Sequence, residues 1–312
     1  MKNNKLIILL AVLLLCVLCA ASGCTGGRDS TPVETPTDSD YYVKDGYAVK
    51  KDYPLNTTSV SYAASCIQNI CSTYLSEDTN IYLSVIPDKN YFLADGTDIP
   101  RLDYDALVNQ LTDDNSELKY IDIFDALSIE DYYKTDPHWR QEKIQPVAQK
   151  LAEEMGAELT DEYTVTEADT PYCGAYFGKT EEQLEAEPLY YLESDLLSGC
   201  RVFNFETSET MGIYDTALLH GKDAYEVFLS GSRSLLTIEK PSAQTDKELI
   251  IFRDSFGSSL APLLVSGYSK ITLVDIRYIS SARLGQFIDF DGQDVLFIYS
   301  TLVLNNSSTM KF

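Results

Sequence analysis

Glu248-Leu249-Ile250-Ile251-Phe252-Arg253-Asp254-Ser255-Phe256-Gly257 is the stretch on which the fold turns. Leu249 to Phe252 is a short, continuous apolar run, the pattern of a strand buried on both faces. Past the serine, residues 257–267 read as a short helix. The alternation then repeats, with a strand over 270–278, a short helix over 281–287 and a strand over 294–299. Apolar runs separated by helices of this size imply right-handed β-α-β units and a parallel sheet, so the fold class is α/β. Ser255 falls at the carboxyl end of its strand, where open parallel sheets collect reactive side chains.

Upstream, Tyr62, Ala63, Cys66, Ile67, Ile70, Cys71 and Leu75 recur at helical spacing and predict a helix over 59–75. A strand follows over 81–86, stopped by Pro87-Asp88, then a helix over 103–118 and a strand over 120–124. Ile144, Val147, Ala148, Leu151, Ala152 and Met155 mark one face of an amphipathic helix that Pro146 should kink or restart and Gly156 should end. Residues 160–240 are tyrosine-rich, with short alternating stretches at 201–205 and 225–229. They read as an irregular, β-rich insertion that shapes a cleft.

Lys2 and Lys5 precede an apolar run from Leu6 to Ala21, and Ala21-Ser22-Gly23-Cys24 closes it. This has the form of an export signal over residues 1–23, and the cysteine after small residues resembles a bacterial lipobox with Cys24 as the lipidation site. The alternative is an uncleaved N-terminal membrane helix; in both cases the rest of the chain faces outward. Thr25 to Asp40 is rich in Thr, Pro, Ser, Asp and Gly, so residues 24–44 read as the lipidated cysteine and a flexible tether, and residues 45–312 as the folded domain. The expected location is the extracytoplasmic face of a bacterial cell membrane, held by the lipid anchor alone.

A net charge of −24 argues against nucleic acid and against adsorption to anionic lipid by charge. Of seven cysteines, Cys66, Cys71, Cys173 and Cys200 remain after Cys16, Cys19 and Cys24 are set aside. Four in an exported domain suffice for two disulfides, with the pairing left open. No metal-ligand spacing is present, and no metal or cofactor is expected.

A serine hydroxyl needs an adjacent base, and a carboxylate to hold that base. The chain offers two histidines. His138 lies two residues after Asp136 in Tyr133-Lys134-Thr135-Asp136-Pro137-His138-Trp139, whereas His220, between Leu219 and Gly221, reads as a loop histidine. A helix start near Gly257 would offer free N–H groups to an oxyanion. Both motifs also have a structural reading: Ser255 as a helix N-cap helped by Asp254, and Asp136 as N-cap with Pro137 at the first turn of a helix that runs on.

Taken in order, the Tyr133–Trp139 motif and Arg253-Asp254-Ser255-Phe256 resemble the DHHW family, which is similar to polysaccharide O-acetyltransferases of the alginate-modifying type. Val85-Ile86-Pro87-Asp88-Lys89, Val274-Asp275-Ile276-Arg277-Tyr278 and Asp294-Val295-Leu296-Phe297-Ile298-Tyr299 look like further family strands, so the resemblance spans residues 45–312 in separated blocks. It implies an SGNH-hydrolase-like three-layer sandwich with a mainly parallel central sheet. It also implies Ser255 as nucleophile, His138 as general base and Asp136 as its orienting partner. The glycine and asparagine that complete the oxyanion site of ordinary SGNH proteins are not matched by Arg277-Tyr278 and Ser300-Thr301. That leaves the Ser255 amide with Arg277 or Tyr278 as replacement donor. Pro137 replaces the more usual His or Thr.

The resemblance thus implies a serine-dependent O-acetyl transferase or esterase acting on a cell-surface or secreted polysaccharide through an acyl-serine. A transferase of this kind implies a membrane partner that exports acetyl groups. The alternative is a lipid-anchored glycan-binding or assembly protein without catalysis. A solute-binding lipoprotein is a third reading, though two similar lobes are not visible. The 22 tyrosines suit a carbohydrate-facing cleft and a packed core equally.

Overall fold

The computed structural model describes residues 40–240 and 245–312. It opens with a hairpin of β1 (Tyr41–Lys44) and β2 (Tyr47–Lys50), turned by Asp45 and Gly46 at φ of 50° and 80°. Asp-Gly suits a two-residue turn in which both positions need positive φ. Residues 41–44, assigned from composition to the tether, are therefore strand. The signal segment and Cys24 lie outside the described residues.

The remaining strands are β3 (Ile81–Ile86), β4 (Lys119–Tyr120), β5 (Thr164–Glu167), β6 (Tyr190–Glu193), β7 (Arg201–Asn204), β8 (Glu209–Met211), β9 (Leu235–Glu239), β10 (Glu248–Arg253), β11 (Lys270–Val274) and β12 (Asp294–Ser300). β5 and β6 pair antiparallel by themselves. The others form one sheet in the order β4-β3-β12-β10-β11-β9-β7-β8. From β4 to β11 every pairing is parallel; β9, β7 and β8 continue antiparallel. The sheet is thus mixed rather than mainly parallel, because residues 160–240 contribute a whole antiparallel edge. The short link from β9 to β10 cannot make the long crossover that a parallel relation needs.

Period-two alternation sets the core. Leu249 and Ile251 of β10 face one apolar cluster, with Leu296 and Ile298 of β12 and Leu273 of β11. Ile250 and Phe252 face the other, with Val295 and Phe297. The first cluster is covered by two helices, Gln145–Glu154 and Phe256–Leu264, and the second by Thr57–Tyr74 and Tyr104–Asp113. Burial on both faces is what the continuous apolar run required. Eleven of the 22 tyrosines are buried, so packing accounts for half of that abundance.

Several expected elements differ. The strand over 120–124 shrinks to β4, and the strand over 270–278 stops at Val274, where the Asp275 carboxylate accepts the Arg277 N–H and folds the chain into a turn. Residues Ala224–Val227 form a 3-10 turn, not a strand, because the Asp223 carboxylate caps the Tyr225 N–H. Pro146 sits in the first turn of the Gln145–Glu154 helix, where its missing N–H costs nothing, so it starts that helix instead of kinking it. The four cysteines Cys66, Cys71, Cys173 and Cys200 are free thiols, not two disulfides; Cys66 and Cys71 are buried in one apolar cluster, Cys200 in the other, and Cys173 is exposed.

Candidate active site

β10 lies between β11 and β12, which leave it in opposite directions, so a crevice opens at the carboxyl end of β10. Asp254 fixes that end. Its Oδ1 accepts the Phe256 N–H at 3.0 Å, and its Oδ2 accepts the Ser300 N–H at 2.8 Å, tying the end of β10 to the end of β12. Ser255 follows with helical φ and ψ of −61° and −25°, and its side chain makes no capping bond. The N-cap reading of Ser255 therefore fails: Asp254 does the capping, and the Ser255 hydroxyl is free for another partner.

That partner is His138, with Nε2 2.7 Å from Ser255 Oγ. Nδ1 lies 2.6 Å from Asp136 Oδ1. A carboxylate only accepts, so Nδ1 carries the proton, Nε2 is the acceptor of the neutral ring, and the Ser255 hydroxyl donates to it. All three residues singled out from sequence meet in one hydrogen-bonded chain.

Asp136 does not start a helix. Lys134 N and Thr135 N donate to the Glu187 carboxylate at 2.9 and 2.7 Å, and the Asp136 carboxylate accepts the His138 N–H at 3.0 Å. Tyr132 and Trp139 bridge across the base of this turn. The turn aims the Asp136 and His138 side chains at each other, which helix geometry two residues apart cannot do. On the far side, Ala175 N donates to Asp136 Oδ2 at 2.7 Å and Gly174 N to Thr135 Oγ1 at 3.0 Å. Burial alone would raise the Asp136 pKa. The His138 charge and the bonds from His138 and Ala175 outweigh it and bring the pKa to about 2. Asp136 thus stays ionised while fully buried.

Lys89 lies beneath the same turn. Its buried ammonium donates to Tyr133 O at 3.0 Å and Lys134 O at 3.3 Å, beside the rings of Tyr47 and Tyr176. Burial lowers its pKa to about 7, against the opposing pull of Asp136, Glu187 and Asp88.

The helix start is less open than its sequence suggested. Phe256, Gly257 and Ser258 N–H groups are taken by Asp254 Oδ1, Asp254 O and Ser255 O. Among the described residues the Ser255 amide alone has no acceptor there. Arg277 commits Nε and Nη2 to Asp275 at 2.9 and 2.6 Å, with the half-exposed Tyr278 ring beside its guanidinium. His220 is exposed and stands 3.8 Å from Asp169, away from the Ser255 chain. A cavity of about 880 Å³ is lined by Glu248, Lys270 and Asp294 at the opposite ends of their strands from Ser255.

Sequence reading missed the groups that hold the three residues in place. Gly174, Ala175, Glu187 and Tyr225 all come from the segment whose pattern was least regular. Trp139, quoted in its motif without a role, donates its Nε1–H to Ser259 Oγ at 2.9 Å. Their offsets, one residue after the base and four after the nucleophile, were the available signal.

The fold and this chain of bonds define the class: an α/β protein with a Ser-His-Asp constellation of the kind that activates a serine for acyl transfer. No family model and no curated protein matches the sequence. In structure the chain is similar to a DHHW family protein from Eubacterium siraeum, at 18% identity and a TM-score of 0.66, over 85% of this chain and 92% of that one. It is similar to PatB1 of Bacillus cereus, whose structure carries a sulfonyl adduct, at 18% identity and a TM-score of 0.65, over 85% and 97%. The O-acetyltransferase domain of Pseudomonas putida AlgJ matches at 11% identity and a TM-score of 0.52, over 84% and 90%. The likeness to the DHHW family read from two motifs is met by a likeness of fold.

Proposed function

We propose that the protein is an extracytoplasmic, serine-dependent O-acetyl transferase or esterase acting on a cell-surface or secreted polysaccharide, with an SGNH-hydrolase-like core and a lipid anchor at Cys24. The unbroken chain from Ser255 Oγ through His138 to the ionised Asp136 carries this reading. The shared fold with an O-acetyltransferase domain supports the acyl group, and the outward-facing sequence signals support the compartment.

In the proposed course, Ser255 Oγ attacks the acetyl carbonyl while its proton passes to His138 Nε2. Asp136 holds Nδ1–H and stabilises the imidazolium. The oxyanion is met by the Ser255 amide, with Arg277 or Tyr278 supplying a second donor. The tetrahedral adduct collapses as His138 returns the proton to the leaving alcohol, leaving acetyl-serine. A sugar hydroxyl or water then loses its proton to His138, attacks the acyl carbonyl and regenerates Ser255. Transfer, rather than hydrolysis, needs a membrane partner that delivers acetyl groups outside the cell.

The test is incubation of the full chain in detergent with phenylmethylsulfonyl fluoride, followed by peptide mass mapping, and with an aryl acetate. Ser255 should be sulfonylated and the ester cleaved, and Ser255→Ala or His138→Ala should each lower turnover by roughly 10³-fold or more. An unlabelled Ser255 and variants as active as wild type would leave the glycan-binding reading in its place.

A further inference from the structure

Two rings outside the triad converge on the base. The Tyr225 ring lies parallel to the His138 imidazole, with centroids 3.9 Å apart and planes 11° from parallel. Phe256 closes the site from another direction, its centroid 4.7 Å from the same ring at 52°. Tyr225 is buried, and its hydroxyl is 2.8 Å from Ser259 Oγ.

Donor counting fixes the direction of that bond. The Trp139 indole N–H can only donate, and it donates to Ser259 Oγ at 2.9 Å. The Ser259 O–H has its own acceptor in Phe256 O at 3.2 Å. The Tyr225 hydroxyl is therefore the donor to Ser259. Burial pushes its pKa well above the usual phenol range, so it remains neutral and keeps that proton. The result is a second rung beneath the Ser255–His138 bond. It joins the residue after the base to the residue one helical turn after the nucleophile, and Tyr225 is the strut that ties both to the face of the imidazole.

We propose that Tyr225 is a positioning residue for His138: its ring, locked by Ser259 and Trp139, holds the imidazole on the line between Asp136 and Ser255 and stabilises the imidazolium formed during acyl transfer. This rests on the acyl-transfer reading above. A ring face against a desolvated cation attracts it, and the stack gains this attraction only when His138 takes the proton. The contribution therefore falls on the transition state more than on bound substrate, which places it in kcat.

The experiment uses the full chain in detergent with p-nitrophenyl acetate, comparing wild type with Tyr225→Leu, which removes the ring, and Tyr225→Phe, which keeps the ring and removes the anchor bond. Circular dichroism melts check folding, and Ser255 sulfonylation by phenylmethylsulfonyl fluoride is followed in parallel. The expected result is a kcat lower by roughly 10- to 30-fold in Tyr225→Leu at a KM within about twofold, with Tyr225→Phe restoring part of the loss, to about 3-fold below wild type. Equal kcat in the two variants, or a loss confined to KM, overturns the proposal.

If Tyr225→Leu does not fold, Ser259→Ala decides, since it frees the phenol while leaving the ring in place. A kcat reduced by about 3- to 10-fold at unchanged KM supports the strut, and a wild-type kcat overturns it. Failure of wild type itself to be labelled at Ser255 sinks the acyl-transfer reading. Labelling of Tyr225→Leu at the wild-type rate sinks only the role of Tyr225.

Discussion

Replacing Gly174 with alanine should damage the site without touching any of its three reactive side chains. A Cβ at this position would lie 2.3 Å from Asp136 Cβ and 2.6 Å from Thr135 O. Carbon atoms settle near 3.5–4.0 Å, so the two loops must part by about 1 Å or more. That movement breaks the 2.7 Å bond from Ala175 N to Asp136 Oδ2 and leaves a buried carboxylate oxygen without a donor. Overpacking of this kind costs ~1–3 kcal/mol, and a hydrogen bond to a charged group ~1.5–3 kcal/mol, for a total of about 2.5–6 kcal/mol. In a domain of this size the melting temperature should fall by roughly 10 °C. Because Asp136 aims His138, a displacement of that order should also slow Ser255 sulfonylation by ~10²-fold. Gly199→Ala is the control: its Cβ would meet nothing within 4 Å. Thermal melts and labelling rates measured side by side give the answer. A Gly174→Ala protein that melts and reacts like the Gly199→Ala control refutes the account of how Asp136 is held.

Asp136 has a folded pKa of about 2, below its unfolded value, so its contribution to stability is complete above about pH 4 and is lost as pH falls toward 2. The destabilisation of Asp136→Asn, measured by urea unfolding, should therefore be about 1 kcal/mol smaller at pH 3 than at pH 6; a constant difference contradicts this. Lys89 shifts in the same direction but acts in a higher pH window: its folded pKa of about 7 lies below the unfolded value, so folding releases its proton between those limits and stability rises with pH there. From pH 7 to 9 wild type should gain on Lys89→Met by up to ~1.4 kcal/mol per pH unit, and parallel pH dependences would show that the amine is not desolvated. Burial raises Cys66 and Cys200 to about 11 and Cys71 to about 12, whereas Cys173 is exposed. Iodoacetamide at pH 8 should modify Cys173 in the native protein and reach the other three only after denaturation. Peptide mapping that finds all four equally alkylated would overturn their placement.

What was legible in the sequence followed from local pattern. The run Leu249–Phe252 announced a strand buried on both faces, and the spacing of Ala63, Cys66, Ile67, Ile70 and Cys71 is the buried stripe of the Thr57–Tyr74 helix. Asp136, His138 and Ser255 were readable because each reactive group lay in a short motif. What failed was decided by distant partners. Asp136 looked like a helix cap until Glu187, 52 residues on, claimed the Thr135 N–H. The tyrosine-rich segment looked irregular because its strands lie at an edge and its turns are set by single carboxylates such as Asp223. Tyr225 could not be assigned a role from spacing, since stacking on His138 is a contact across 87 positions of chain that no local period encodes.

The position of β12 has a consequence for how the molecule is made. β12 follows every other described strand, yet it lies not at a margin of the sheet but in its interior, hydrogen-bonded to β3 on one side and β10 on the other. Until it arrives, the early strands and the β10–β11 unit are two separate half-sheets with a gap between them. A ribosome reads the chain from the amino end, so the keystone emerges only after both halves. The Ser300 amide that braces Asp254 beside the reactive serine comes with it. Deleting β12 removes the wedge that joins the two halves, and chemistry at Ser255 must wait for that strand.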